Sequence, residues 1–228
     1  MVLACTTRSI SIELAIGLSF SPIKRRCLES FGATLIGLEQ LQAGQTPREV
    51  VEWHLANAES LGKSYFYTDQ FNNPGCLAAH EQETGPEILA QLAAWPEVRS
   101  LTFVACAGTG AHLTGIARAL KQGGYIVNVI LVEPDGCDSR AGIFSEHRFE
   151  GMAVGVRPPL LDWALVNDIV HVDHNTMLAT QNRFATYHGH YVGNTSAACL
   201  AVADTLRRPH DLRHQVLTIA YDHGLWYT

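Results

Sequence analysis

The chain of 228 residues carries 22 acidic and 16 basic side chains, a net charge of −6, and its arginines are scattered apart from two adjacent pairs. With 47% hydrophobic and 17% charged residues, it has the composition of a globular protein with a sizeable core. These numbers argue against a disordered chain and against a nucleic-acid-binding surface, and no apolar run reaches the roughly 18 residues that a membrane span requires. Six widely spaced cysteines without a CxxC pair favour buried, reduced thiols in a cytoplasmic protein.

Short strands alternate with helices over the first 60 residues. Alternating apolar side chains predict strands at Ile10–Ile16 and Ala33–Leu38. One helix is predicted to start after Ser21, because a proline follows at the first helical position, and to stop before Gly32. Another is predicted to start at Thr46, in a capping-box sequence, and to run to about residue 60. A break around residues 40–60 would separate a small first lobe from a larger second one.

The rest of the chain predicts a parallel α/β sheet. Residues 65–68, with the sequence YFYT, predict a short strand that ends in the turn DQFNNPG. The later predicted elements are a helix capped at Thr84 and ending near Ala94, a strand Leu101–Cys106, a helix Ala111–Gln122, strands Ile126–Val132 and Ile169–Val172, helices Thr176–Tyr187 and Ser196–Leu206, and a strand Val216–Ala220. A strand, a glycine turn, a helix and a strand in succession form a βαβ unit, whose crossover makes the two strands parallel.

A glycine-rich turn, Gly108-Thr109-Gly110, joins a predicted strand to a predicted helix. The N-terminus of such a helix attracts phosphate, because its first N–H groups lack intrahelical partners and the helix dipole is positive there. Two alternatives stay open: a tight turn without a ligand, and a dinucleotide site with Glu133 as the ribose-binding acid. The third glycine of the dinucleotide fingerprint is missing, since Leu113 occupies its position.

Short motifs accompany this turn in a fixed order along nearly the whole chain. They are SPIKRRCLESFGATLIGLE at 21–39, DQFNNP at 69–74, TGPEI at 84–88, VEP at 132–134, HRFEG at 147–151, VGNTS at 192–196 and YDHG at 221–224. Together they resemble the cysteine synthase and cystathionine β-synthase branch of the fold-type II (tryptophan synthase β-like) pyridoxal-phosphate enzymes. The resemblance implies an α/β fold of three-layer parallel-sheet sandwiches. It further implies that residues 1–60 are the remnant of a small N-terminal domain and that residues 61–228 form the large domain that binds the cofactor phosphate.

The resemblance also implies a site for pyridoxal 5'-phosphate. The implied site residues are Gly108, Thr109, Gly110, Ala111 and His112 at the phosphate, Thr195 at the pyridine nitrogen, and Gln70 near an amino-acid substrate. A hydroxyl at the pyridine nitrogen suits β-elimination and β-replacement. His112 stands where the family has threonine, and it would either add a cationic donor at the phosphate or crowd it. Thr195 would serve as a ligand, as a helix cap or as both.

The resemblance finally implies that a catalytic group is missing. In the family, the Schiff-base lysine and the loop that grips the substrate carboxylate precede the segment that matches residue 1. None of the three lysines, Lys24, Lys63 and Lys121, stands in the corresponding place. We therefore expect an N-terminally truncated β-replacement protein for an activated serine, with weakened or lost cofactor binding and no activity alone. The alternative is a non-catalytic pseudoenzyme that acts as a binding or regulatory partner.

The sequence also gives expectations about partners and metal ions. An unpaired sheet edge would favour a homodimer or a complementing N-terminal fragment. No metal site is expected, because the histidine pairs at 171/174 and 188/190 lack the sequence context of a metal motif.

Overall fold

A computed structural model describes residues 1–208 and 210–227, which divide into two compact units. The first comprises Met1–Tyr67 with Trp226 and Tyr227, and the second comprises Thr68–Leu225. The division falls a few residues beyond the predicted boundary at residue 60, and the assignment of the units as a domain remnant and a large domain stays a prediction. Among the described residues, no helix combines the length and the apolar character needed to cross a membrane.

The first unit is built from short elements. They are helices α1 (Val2–Thr6), α2 (Pro22–Ser30), α3 (Leu38–Gln42) and α4 (Pro47–Ala56), and the parallel strands β1 (Ile12–Leu14) and β2 (Ala33–Leu35). The predicted helix starts are confirmed, because the Ser21 hydroxyl accepts from the Lys24 N–H and Thr46 forms a full capping box with Glu49. Both strands are shorter than predicted, since each pairs over three residues only.

The predicted strand at residues 65–68 is wrong. Residues 63–69 have no regular secondary structure, and the side chain of Phe66 is 88% exposed. Tyr65 donates a hydrogen bond to Glu13 at 2.7 Å instead of joining a sheet. Aromatic residues favour strands only where a neighbouring strand and a buried face receive them, and this segment has neither.

The second unit contains a four-stranded parallel sheet. Its strands are β3 (Ser100–Cys106), β4 (Ile126–Pro134), β5 (Val166–Val172) and β6 (His214–Thr218), in the order β5-β4-β3-β6. Its helices are α5 (Pro74–Ala79), α6 (Gly85–Leu92), α7 (Ala111–Gln122), α8 (His174–His188) and α9 (Asn194–Thr205). A 3₁₀ turn (Gly224–Tyr227) follows β6, and its last two residues belong to the first unit. The predicted βαβ unit is confirmed as β3-α7-β4. Strand β5 begins earlier than predicted, and β6 both begins and ends earlier.

Helices cover both faces of this sheet. Along β3, Leu101, Phe103 and Ala105 pack into one apolar cluster with α6 and α7. Val104 and Cys106, on the opposite face, pack into a second cluster with α8 and α9. This alternation is the two-residue period of a strand buried on both sides, and it produces the predicted three-layer α/β arrangement.

The helix predicted to start at Thr84 begins much earlier. Asn73 caps it, with its side chain accepting from the Gly75 N–H at 2.9 Å. A π-helical segment, His80–Thr84, then joins α5 to α6, and Thr84 has helical backbone angles inside this continuous run. The π-helical turn breaks the regular helical spacing, so the following TGPE sequence has the appearance of a new start.

The predicted burial of the cysteines is confirmed for three of six. All six lie in the described part of the chain and are free thiols. Cys106, Cys137 and Cys199 are buried, whereas Cys5, Cys27 and Cys76 are partly exposed. The exposed three lie in the short first unit and at the start of α5, where few layers cover them.

Candidate cofactor site

The turn between β3 and α7 has a backbone that only its glycines allow. Gly110 has φ +88°, and a Cβ there would lie 2.6 Å from the backbone nitrogen of Leu161. A Cβ at Gly108 would lie 2.8 Å from the carbonyl oxygen of Gly151. Neither position accepts a larger residue unless the neighbouring backbone moves, so backbone closes this turn on two sides.

Hydrogen bonds fix the turn to the segment that covers it. The Leu160 N–H donates to the Thr109 carbonyl at 2.9 Å. The Thr114 hydroxyl donates to the Leu160 carbonyl at 2.8 Å and accepts from the Asp162 N–H at 2.9 Å. A bound group would therefore meet a preorganised loop, which loses little conformational entropy on binding.

The first turn of α7 suits an anion. Gly110 caps the helix without a side chain, and the turn holds no acidic residue. The N–H groups of Ala111, His112 and Leu113 lie in this turn, where no intrahelical acceptor is available to them. The positive end of the helix dipole is thus left for a negatively charged ligand.

The N-terminus of α9 forms the second half of the site. The helix begins at Asn194, two residues earlier than predicted, and Gly193 is its cap. Thr195 is therefore inside the first turn and buried, rather than at the capping position. The Gly193 N–H donates to the Asp222 carbonyl at 2.8 Å, and the Ser196 hydroxyl accepts from the Tyr221 N–H at 2.8 Å.

Gly151 brings the two helix N-termini together. Its carbonyl oxygen faces Gly108, as described above, and a Cβ at Gly151 would lie 4.0 Å from the Thr195 Cγ2 methyl. The Ala153 N–H donates to the Ala107 carbonyl at 3.1 Å, which ties this segment to the end of β3. The Gly108 turn and Thr195 thus border the same exposed glycine.

The imidazole of His112 is not available as a cationic donor. Its Nε2 lies 3.0 Å from the Tyr221 hydroxyl, and the two rings meet edge to face. Burial, aided by the nearby His80, lowers the pKa of His112 to about 4. The ring is therefore neutral at neutral pH, because removing a cation from water is costly. Of the two roles left open for the His112 side chain, a cationic donor and a group that crowds the phosphate, this neutral ring does not support the first, while the backbone N–H stays in the first turn of α7.

Gln70 lies in an exposed turn before α5. Its predicted place near a substrate stays a prediction. The roles of Gly108, Thr109, Gly110, Ala111 and Thr195 likewise stay predictions that the geometry accommodates.

The three lysines all lie in the described ranges. Lys121 is exposed in the last turn of α7, about 15 Å along the axis from Ala111 at 1.5 Å per residue. Lys24 and Lys63 belong to the first unit, where Lys24 lies over the Tyr227 ring and Lys63 pairs with Glu13.

The acid considered for a dinucleotide site has another role. Glu133 is 2% exposed, and its carboxylate accepts from the Ser139 N–H at 3.1 and 3.2 Å. It fixes its own loop, so the dinucleotide alternative loses its ribose-binding group. Within residues 1–208 and 210–227, no cluster of three or more His, Cys, Asp and Glu side chains could hold a metal ion.

Sequence reasoning missed the contact partners of the site. Tyr221 and the Leu160–Asp162 segment were not predicted to approach it. One signal was present: His112 departs from the threonine of the family motif, and this unusual side chain contacts Tyr221.

Comparison with known proteins gives the family. Residues 2–222 match the protein family described as pyridoxal-phosphate dependent enzyme. The chain belongs to this family. The family's cofactor is pyridoxal phosphate, as the sequence motifs implied.

Individual relatives of this pyridoxal-phosphate family point to one branch. The chain is 25% identical to a cysteine synthase of Staphylococcus aureus, over 100% of the chain and 71% of that protein. It is 29% identical to an O-ureido-L-serine synthase of Streptomyces lavendulae, over 89% of the chain and 64% of that protein. The crystal structure of an O-ureido-L-serine synthase superposes with a TM-score of 0.84 and 26% identity, over 99% of the chain and 69% of that structure. The predicted cysteine synthase branch and fold are confirmed.

The residues present fit the phosphate of this cofactor. Only glycine fits at Gly108 and Gly110, because backbone of Gly151 and Leu161 packs against the turn, and the first turn of α7 is free of carboxylates. A buried hydroxyl-bearing residue, Thr195, borders the same glycine. The backbone of the turn and the Thr195 side chain thus border one region, as the predicted roles require.

Proposed function

We propose that this chain binds pyridoxal 5'-phosphate between the N-termini of α7 and α9 and acts as a cysteine synthase-like β-replacement protein. The observation that carries the proposal is the meeting of the Gly108 turn and Thr195 at Gly151. Gly108, Thr109, Gly110 and the first turn of α7 hold the phosphate. Thr195 donates its hydroxyl to the pyridine nitrogen.

The side chain at the ring nitrogen selects the reaction class. The cofactor, when bound, stabilises negative charge at the α-carbon of an amino acid. A neutral hydroxyl beside the ring nitrogen keeps this stabilisation moderate, which suits loss of a leaving group from the β-carbon and addition of a nucleophile there. The names of the relatives, cysteine synthase and O-ureido-L-serine synthase, support an activated serine as the substrate class.

The three lysines of the chain are not placed to hold the cofactor covalently. Lys121 is at the far end of α7, and Lys24 and Lys63 are engaged inside the first unit. We therefore propose that the chain alone binds the cofactor reversibly and does not turn over substrate, and that a complementing fragment supplies the Schiff-base lysine. A homodimer would pair the exposed sheet edge, but a second copy has only the same three lysines and would not supply this group. The alternative is a pseudoenzyme that uses the same site for binding or regulation.

A binding comparison tests the phosphate site. Purified chain is titrated with pyridoxal 5'-phosphate and with pyridoxal, which lacks the phosphate. We expect the phosphorylated form to bind at least tenfold more tightly, because the backbone N–H groups recognise the phosphate. Equal affinities would contradict the proposal.

An activity assay separates the two functional alternatives. The chain is incubated with cofactor, O-acetylserine and sulfide, alone and with a fragment of the S. aureus cysteine synthase that contains the part outside the match. Product formation only with the added segment supports the complementation proposal. Cofactor binding without product in either mixture favours the pseudoenzyme, and turnover by the chain alone contradicts both.

A further inference from the structure

A hydrogen bond between two side chains far apart in sequence joins the two halves of the candidate site. His112 is the second residue of α7, next to the phosphate turn, and its Nε2 lies 3.0 Å from the hydroxyl of Tyr221. Tyr221 lies just after β6 and is 109 residues from His112 in the sequence. No cofactor role requires this pair, and neither residue type belongs to the family motifs that the chain otherwise follows.

The contact joins two neutral side chains. Burial raises the pKa of the Tyr221 phenol well above its usual value, so the phenol keeps its proton and is able to donate it in a hydrogen bond. The neutral His112 ring accepts at Nε2 in the tautomer that carries its proton on Nδ1.

No other contact of the phenol replaces this acceptor. The thiols of Cys106 and Cys199 are the neighbouring polar groups, in contact with each other and with the Tyr221 hydroxyl. Thiol sulfur is a weak acceptor, whereas imidazole nitrogen is a strong one. The His112–Tyr221 bond is therefore the directional contact of this cluster.

The backbone at Tyr221 continues the connection to α9. Its N–H donates to the Ser196 hydroxyl at 2.8 Å, and the next residue, Asp222, accepts from the Gly193 N–H at 2.8 Å. These two bonds bracket Thr195. A continuous set of contacts thus runs from the first turn of α7, through His112 and Tyr221, to the first turn of α9.

We propose that His112 and Tyr221 are positioning residues that set the separation between the phosphate subsite and the pyridine-nitrogen subsite. This inference rests on the proposed function, since it concerns the same site. Pyridoxal 5'-phosphate is a rigid ring with a short phosphate arm and spans both subsites, so its affinity depends on their separation. Inorganic phosphate fills one subsite only and does not depend on it.

Two substitutions break the connection and leave Gly108, Thr109 and Gly110 unchanged. Tyr221→Phe removes only the hydroxyl, and His112→Asn keeps a polar group while shortening the side chain so that it no longer reaches Tyr221. The affinity for pyridoxal 5'-phosphate should fall about three- to tenfold in each variant, the range expected for one hydrogen bond. In Tyr221→Phe, which lies outside the first turn of α7, the affinity for inorganic phosphate should stay within twofold. The double variant should be no weaker than the weaker single variant, because both remove the same contact.

Tyr125→Phe is the matched control. Tyr125 is also partly buried and packs against the other apolar cluster. It lies just before β4, at the amino ends of the strands, whereas the candidate site lies at their carboxyl ends. It should bind both ligands as the unaltered chain does. Equal losses for both ligands in Tyr221→Phe would indicate general loosening and would overturn the positioning role, as would no loss for either ligand.

Amide hydrogen exchange tests the connection without any ligand. Cutting it should speed exchange about threefold or more at the Tyr221 and Gly193 N–H groups, with no such change in Tyr125→Phe. Failure of the unaltered chain to bind pyridoxal 5'-phosphate would refute the proposed function. The exchange result would then decide the connection by itself, and unchanged exchange at both amides would overturn it.

Discussion

Helices α7 and α9 both begin after a glycine cap, but the surroundings of their N-termini differ. At α7 the cap is a glycine in the left-handed region, and the neighbouring backbone of Gly151 and Leu161 closes in where side chains would be. At α9 the cap is followed by three buried polar residues, Asn194–Ser196. A phosphate needs several backbone donors and close approach, whereas a ring nitrogen needs one placed side chain. The contrast supports the proposed placement of the phosphate at α7 and of the ring nitrogen at α9.

Of the changes proposed here, Gly110→Ala should have the largest effect, on both the stability of the chain and cofactor binding at the α7 side of the site. The new Cβ would meet the Leu161 backbone at 2.6 Å in a residue with φ +88°. We expect a loss of roughly 3 kcal/mol or more of unfolding free energy, together with loss of cofactor binding, because clash and backbone strain add. Chemical denaturation and cofactor titration measure both.

Gly124→Ala separates strain from clash in this prediction. Gly124 has the same φ of +88°, but no atom lies within 4 Å of its Cβ position. Its loss should be only about 1 kcal/mol, with cofactor binding kept. Similar losses in the two variants would show that the closed surroundings of Gly110 are unimportant.

Lowering the pH should destabilise the chain through His112. The folded-state pKa of about 4 lies below the ordinary value of 6.5, so the unfolded chain binds the proton first. Stability present above pH 6.5 is therefore lost as the pH falls toward 4, by about 2 kcal/mol between pH 7 and pH 5.

His112→Asn isolates this contribution. Burial also lowers the pKa values of His80 and His214, so the informative quantity is the difference between the two proteins. The stability advantage of the unaltered chain should shrink as the pH falls from 7 to 5. A difference that stays constant with pH would show that His112 protonates equally in both states.

Thr195→Val should weaken cofactor binding at the α9 side of the site, with a smaller effect than the changes above. The change keeps the branched shape and removes the hydroxyl. Pyridoxal 5'-phosphate should bind about three- to tenfold more weakly, and inorganic phosphate should bind as before. Thr205→Val, at the other end of α9, should change neither affinity. A parallel loss of phosphate binding in Thr195→Val would place Thr195 at the wrong end of the ligand.

Sequence reasoning succeeded where local pattern and packing agree. Strand β3 and helix α7 are long, periodic and joined by a glycine turn, so the βαβ unit and its turn were predictable. The strand predicted at residues 65–68 does not form, because no neighbouring strand is there to pair with this segment despite its strand propensity. The helix start predicted at Thr84 was wrong, because a π-helical segment interrupts the regular helical spacing there. The His112–Tyr221 contact joins residues 109 apart, which no local pattern reveals.

Borohydride reduction after cofactor titration tests the central claim most directly. We expect saturable binding of about one pyridoxal 5'-phosphate per chain through the backbone-lined turn, with no covalent adduct after reduction and peptide mass mapping. A stoichiometric adduct on Lys24, Lys63 or Lys121, or the absence of saturable binding, would contradict it.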